Sequence, residues 1–282
     1  MIGAVRGMQI MLAILSAAIL AITPAAPVPD QDAQAAQGTE CPVAGLADAN
    51  RLTSRERAEG WTLLWDGRSS AGWRGARSAE FPKQGWLICD GVLTIRGSDG
   101  QESRGGGDII TIKRYSDFDL TFDFRITEGA NSGVKIFAQT DISPLDRVTG
   151  KPTPIGSGIG MEFQILDDAR HPDAKAGRDG NRTTGSFYDV IPAPKTKKMM
   201  PVGEWNHGRI VSRKGHITYY LNGQQTVDFV RGSGAFDAGV AQSKFRDITG
   251  FGEWADGHIL LQDHGDTVSF TNLKIREFPT GR

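Results

Sequence analysis

Residues 117–126 alternate apolar and polar side chains without a break, and this pattern limits what the chain can fold into. Phe118, Leu120, Phe122, Phe124 and Ile126 fall on one parity; Asp119, Thr121, Asp123 and Arg125 fall on the other. A period of two is strand geometry with one face on a core and one toward solvent. The pattern recurs in residues 158–173, where Ile159, Met161, Phe163 and Ile165 share a face and Glu162 and Gln164 take the other. A turn carrying Asp167, Asp168, His171 and Asp173 follows.

Other stretches read the same way. Residues 85–95 form a hairpin turning at Asp90-Gly91, and Asn222-Gly223 is a second strong hairpin signal. Residues 61–66, 108–112, 133–139, 205–212 and 216–221 are strand-like, with a turn at 213–215. In residues 133–139, Val134, Ile136 and Ala138 are expected on one face and Lys135, Phe137 and Gln139 on the other. Residues 258–263 and 266–277 are expected to pair about His264-Gly265. Residues 52–60, with a Thr/Ser start and a Gly stop, are one short helix.

About ten to twelve short strands, with 36 glycines and almost no helix, imply an all-β fold, an antiparallel sandwich or jelly roll. There is no helix-strand alternation, and Gly105 to Gly107 lack the spacing and following helix of a phosphate loop, which excludes doubly wound nucleotide folds. Within 282 residues, 55–280 are expected to form one domain and 27–54 a spacer and N-terminal tail.

The first 26 residues place Arg6 before an apolar run and then small residues with proline, the pattern of a secretory signal peptide. A soluble protein exported to the periplasm or cell exterior is expected, with no membrane attachment after cleavage. A net charge of -1 offers no global field for nucleic acid. Lys195, Lys197 and Lys198 lie among prolines and read as a solvated loop. Cys41 and Cys89 allow one disulfide or two buried thiols; a bridge would tie the N-terminal tail to the strand at 86–89.

Several groups could carry chemistry. Counting along residues 258–264 puts His258, Leu260, Gln262 and His264 on one parity. If that strand neighbours the one bearing Glu162 and Gln164, a carboxylate, two amides and an imidazole converge and can bind sugar hydroxyls and move a proton. The bland alternative makes His264 a turn residue. Asp167, Asp168, His171 and Asp173 allow a divalent metal, or ordinary turn chemistry. No paired carboxylates sit at the strand spacing of a two-acid glycosidase; Glu204 or Glu253 would have to approach Glu162. There is no GxSxG. Of six tryptophans, most should pack, and Trp254 is the best exposed candidate for stacking on a sugar.

Seven ordered blocks complete the reading: WTLLWDGRSSAGWRG, NSGVKIFAQ, GIGMEFQILDD with HPD, TGSFYDVIPAP, PVGEWNHGRIV, YYLNGQ and LQDHGDTVSFTNLKIRE. Together they resemble the 3-keto-disaccharide hydrolase family, whose activities are described as 3-keto-glucoside 1,2-lyase and 3-keto-2-hydroxyglucal hydratase. The resemblance implies a concanavalin A-like jelly roll and a sugar already oxidised at C3 by a partner dehydrogenase. The ketone then acidifies the C2 proton, a base removes it, the C1 substituent leaves and water adds back. On that reading His264 or Asp263 is the base and Glu162 the partner acid or a metal ligand. Gln164, Gln262 and Lys135 orient hydroxyls or the enolate oxygen. A divalent metal held by Glu162 and His264 would polarise the ketone. Two other readings remain open: a non-catalytic carbohydrate-binding jelly roll, and a conventional β-glucan hydrolase. The chain departs from the common family pattern in a Pro-rich insert, residues 140–157, and in the basic loop at 195–198.

Overall fold

The computed structural model describes residues 41, 46–99, 101, 105–142 and 158–279. The signal segment and nearly all of the Pro-rich insert lie outside them. Among the described residues thirteen strands form two antiparallel sheets, the jelly-roll sandwich expected from the strand pattern. The larger sheet runs β11(Gln224–Val230), β10(His216–Leu221), β9(Asn206–Arg213), β6(Phe118–Ile126), β13(Val268–Glu277), β4(Val92–Ile95), β3(Trp86–Cys89), with β1(Thr62–Leu63) also on β13. The smaller runs β2(Trp73–Gly75), β5(Ile109–Thr111), β12(His258–Leu261), β7(Asn131–Gln139), β8(Ile159–Leu166).

The parity read in residues 117–126 holds. All five apolar residues of β6 are at most 1% exposed. Opposite them, Ile109, Leu261, Val134 and Phe163 form one inward row across the smaller sheet. The layers meet ring to ring: Phe163 lies 5.4 Å from Phe122 and 6.4 Å from Phe124, both edge-on. Burying a side chain of this size contributes about 1.5–3 kcal/mol, so this seam is a main source of stability. On the other face of β6, Asp119 is fully buried and held by Arg209 at 2.7 and 2.8 Å and by Arg276 at 2.9 Å.

Local chemistry sets the ends. Helix α1(Ser54–Ala58) begins in a capping box: Glu56 N donates to Thr53 Oγ1 at 3.1 Å and Thr53 N to Glu56 Oε2 at 2.6 Å. At the β3–β4 turn Asp90 and Gly91 have φ of 48° and 70°, the left-handed pair a two-residue hairpin loop requires. Cys41 and Cys89 are bridged, which ties the start of the domain to the end of β3.

Four expectations are corrected. First, β12 and β13 do not pair about His264-Gly265; they lie in different sheets. The polar groups of the connecting turn bond to neighbouring loops instead. Asp263 Oδ2 accepts from Gly107 N at 2.9 Å, and Asp266 Oδ2 accepts from Asn131 N at 2.9 Å, which directs the chain across the sandwich. Second, Phe137 joins the core while Ala138 packs with Ala76, Ile110 and Leu260 on the opposite face. A bulge with Phe137 at φ 54° reverses the alternation there. Third, an eight-residue helix α2(Gly234–Ala241) forms where none was expected; Ser233 caps it and Phe236 anchors it. Fourth, Lys197 is not solvated: it pairs with Asp168 at 2.9 Å, donates to Thr183 Oγ1 at 2.6 Å, and its side chain is 10% exposed.

Candidate functional site

Glu162 on β8 and Lys135 on β7 are direct register partners, and Leu260 on β12 stands opposite Lys135 in the same outward row. The ammonium nitrogen of Lys135 lies 3.8 Å from Glu162 Oε2 and donates to Gly158 O at 3.3 Å. Gln262, just past β12, reaches both charges. With its amide nitrogen toward Glu162 Oε1 and its oxygen toward Lys135 Nζ, each contact is 3.3 Å and both ends of the amide are satisfied. Glu162, Lys135 and Gln262 are 4%, 7% and 8% exposed. A buried charge pair of this kind is costly to assemble and only weakly stabilising, so its presence points to use rather than to packing.

Gly133 makes the arrangement possible. A Cβ there would sit 2.5 Å from Glu162 Oε1 and 2.9 Å from its carboxyl carbon, so only glycine lets the carboxylate lie flat across β7. Gln262 N also donates to Gly133 O at 3.0 Å, which carries Gln262 alongside.

The outward residues of β8 are not solvated, Glu162 and Gln164 being 4% and 0% exposed, and a loop pairs with the edge of the strand. Residues 184–191 ride along β8 as an irregular extra edge: Gly185 N donates to Gln164 O at 2.8 Å, Gln164 N to Ser186 O at 3.1 Å and Tyr188 N to Glu162 O at 3.0 Å. Tyr188 thereby stands beside Glu162. Burial pushes its phenol well above its ordinary range, aided by the charges of Glu162 and Asp173 and opposed by Arg182, so it stays protonated at neutral pH. Arg182 holds Asp173 and Asp189 at 2.8 Å each and lies 5.4 Å from the Tyr188 ring; Lys244 Nζ lies 4.3 Å above that ring. Desolvation lowers the pKa of Lys244, against the pull of Glu162.

Tyr188, Lys244 and Arg182 escaped the sequence reading. One signal was present: in TGSFYDV, Phe187 and Tyr188 fall on opposite parities, and Phe187 is fully buried in the core.

The remaining candidates separate. Gln164, two residues along β8 from Glu162, has no exposed surface, and its side-chain amide donates to Asn131 Oδ1 at 3.5 Å. Asp263 is 2% exposed; one oxygen accepts from Gly106 and Gly107 N and the other from Gly265 N, a turn-locking role. His264 is half-buried in the same turn, two residues beyond Gln262. Trp254 is half-buried and packs edge-on against Phe251 at 5.9 Å. The Asp/His turn is structural: Asp168 Oδ1 accepts from Thr184 N, Asp167 Oδ2 from Gly129 N, and His171 Nδ1 from Asp173 N.

Among the described residues no three His, Cys, Asp or Glu side chains gather to hold a metal ion. Beside Glu162 the neighbouring groups are an ammonium and an amide, a donor set that does not suit a divalent cation. No helix among them is long and apolar enough to cross a membrane.

Comparison with known proteins agrees with the architecture. A 3-keto-disaccharide hydrolase of Bacteroides thetaiotaomicron is 33% identical over 243 residues, 82% of each chain. The crystal structure of a candidate glycosyl hydrolase from Parabacteroides distasonis ATCC 8503 superposes with a TM-score of 0.68 at 29% identity, covering 82% of this chain and all of that one. A second structure so described from the same organism gives 0.56 at 25% identity, covering 77% of this chain and 99% of that one. Residues 60–276 match the family description itself, and the chain belongs to the family of 3-keto-alpha-glucoside-1,2-lyase-like domains.

Proposed function

We propose that the protein is an exported enzyme that cleaves 3-keto-glycosides by elimination and hydration, with net hydrolysis. The observation that carries this reading is the buried Lys135–Glu162 pair, bridged by Gln262 and flanked by the protonated phenol of Tyr188, in a chain of this family. Export rests on the signal-like pattern of residues 1–26.

Glu162 accepts the proton from C2, which the adjacent C3 ketone has acidified. The electron pair moves into a C2–C3 enolate whose oxygen the Lys135 ammonium and a hydrogen bond from Gln262 stabilise. The enolate then reforms the ketone as a C1–C2 double bond forms and the C1–O bond breaks. Tyr188 supplies the proton to the departing oxygen. Water adds to C1, the C2 proton returns, and the free 3-keto sugar results. His264, half-buried in the turn after Gln262, is the proton carrier for hydration in this scheme. The chemistry needs one carboxylate, and a separate sugar 3-dehydrogenase must supply the ketone. No step is routed through a metal.

The decisive experiment incubates the protein with a 3-keto-glucoside and with its parent glucoside. Breakdown of the keto form alone, with C2 hydrogen exchanged for solvent deuterium, is the expected result. Cleavage of the parent would make the protein a conventional glycosidase, and binding without turnover a carbohydrate-binding module; either would overturn the proposal.

A further inference from the structure

A cationic groove beside Tyr188 has no role in the chemistry above. It encloses about 460 Å³, within the range of small-ligand sites. Arg178, Arg182, Lys244 and Arg246 line it against only two carboxylates, Asp189 and Asp247.

The charges differ in how far they are already compensated. Arg182 is held by Asp173 and Asp189 together, and the second oxygen of Asp189 accepts from Lys244 N at 2.7 Å. Arg246 lies 3.7 Å from Asp247. Arg178 donates to an uncharged group, the Gln242 amide oxygen, at 2.5 Å. Lys244 sets its ammonium over the rings of Tyr188 and Phe245, at 4.3 and 5.3 Å. Among the described residues neither Arg178 nor Lys244 forms an ion pair, although both line the same concavity.

We propose that this groove binds an anionic group, a carboxylate or a phosphate monoester, carried on the leaving-group side of the substrate. It rests on the placement of the sugar given under Proposed function. Tyr188 links the two regions: its backbone N–H bonds Glu162 O at 3.0 Å, and the ammonium of Lys244, which lines the groove, lies 4.3 Å over its ring. A substituent extending from C1 past the phenol therefore meets Lys244, and Arg178 lines the same groove. An anion there would gain charge-assisted hydrogen bonds from a planar guanidinium and an ammonium that lack acidic partners. The substrate class is thus a 3-keto-glycoside with an acidic aglycone.

Two measurements on the full-length protein test this. In the first, calorimetry at low salt compares phenyl, 4-carboxyphenyl and 4-(phosphonooxy)phenyl glucosides. At least one anion is expected to bind about tenfold tighter than the neutral compound, and which one does so separates carboxylate from phosphate recognition. The advantage should shrink at high salt in the wild type and disappear in the Lys244→Met, Arg178→Gln double variant. Equal affinity for all three compounds, or an advantage untouched by salt and by the double substitution, overturns the groove. In the second, the 3-keto forms of the same compounds are assayed for turnover. Anion preference in binding with no turnover of any keto form would overturn the 3-keto reading and leave the groove standing. Turnover without anion preference would do the reverse.

Discussion

Lys135 and Glu162 face each other across β7 and β8 as direct register partners, with 3.8 Å between the ammonium nitrogen and the nearer carboxylate oxygen. Strand pairing, not sequence proximity, brings them together. Because both are buried, each depends on the other for its charge to be tolerated.

That dependence separates two substitutions. Glu162→Gln keeps the shape and removes the proton acceptor, so turnover of a 3-keto-glucoside should fall by about 10²–10⁴-fold, and C2 deuterium exchange should stop with it. Lys135→Met leaves a buried carboxylate without its cation and should cost about 3–5 kcal/mol, measured by urea denaturation. A Glu162→Gln variant with wild-type exchange would remove Glu162 from the mechanism.

Gly133→Ala tests the positioning of the carboxylate without touching it. The new methyl would stand 2.5 Å from Glu162 Oε1, so the side chain must swing away or the strand must shift. Overpacking of this kind costs about 1–3 kcal/mol, whereas activity should drop by about 10²-fold, as for other misplacements near 1 Å. Stability and kcat measured on the same sample decide whether activity falls more steeply than folding.

The pH dependence of stability should bend at both ends. On the alkaline side, burial raises the phenols of Tyr115, to about 12, and of Tyr188 and Tyr219 further. Their contribution is complete below the unfolded phenol value near 10 and is lost as pH rises above it, because only the unfolded chain then ionises. On the acid side, burial lowers the pKa of His258, whose Nδ1 donates to Thr111 O at 2.7 Å. Its contribution is present above about pH 6.5 and lost as pH falls through the depressed value. Denaturant midpoints from pH 5 to 11 should therefore show a plateau with both shoulders. A curve flat beyond pH 10 would contradict the buried phenols.

Reduction of the Cys41–Cys89 bridge should destabilise the domain. The cysteines are 48 residues apart, for which the chain-entropy relation gives about 4 kcal/mol. Cys41→Ser with Cys89→Ser should lower the urea midpoint correspondingly and leave kcat unchanged, since Cys89 lies in the larger sheet and the Lys135–Glu162 pair in the smaller.

Local features were legible from the chain alone, because they depend on covalent geometry over a few residues. The parity of Phe118 to Ile126, the short helix with its Thr/Ser start in residues 52–60, and the turns at Asp90-Gly91 and Asn222-Gly223 needed no partner strand to be recognised. The candidate site was legible in part: the outward parity of Glu162, Lys135 and Gln262 follows from counting. Which strands become neighbours did not follow, because pairing is decided by packing between segments distant in sequence. Residues 258–263 look like half a hairpin, yet hydrogen bonds that Asp263 and Asp266 accept from Gly107 N and from Asn131 N at the start of β7 carry β13 to the opposite sheet. Phe137 turned inward because a bulge shifts the register of β7 between Ile136 and Gln139 and lets a further aromatic ring enter the core. The sequence by itself therefore determined most of the strands, the faces of unbroken ones such as β6, and the residue types available for chemistry. Only the tertiary structure decided that Tyr188 joins Glu162, because a loop without regular hydrogen-bond periodicity is positioned by the edge of β8 along which it pairs.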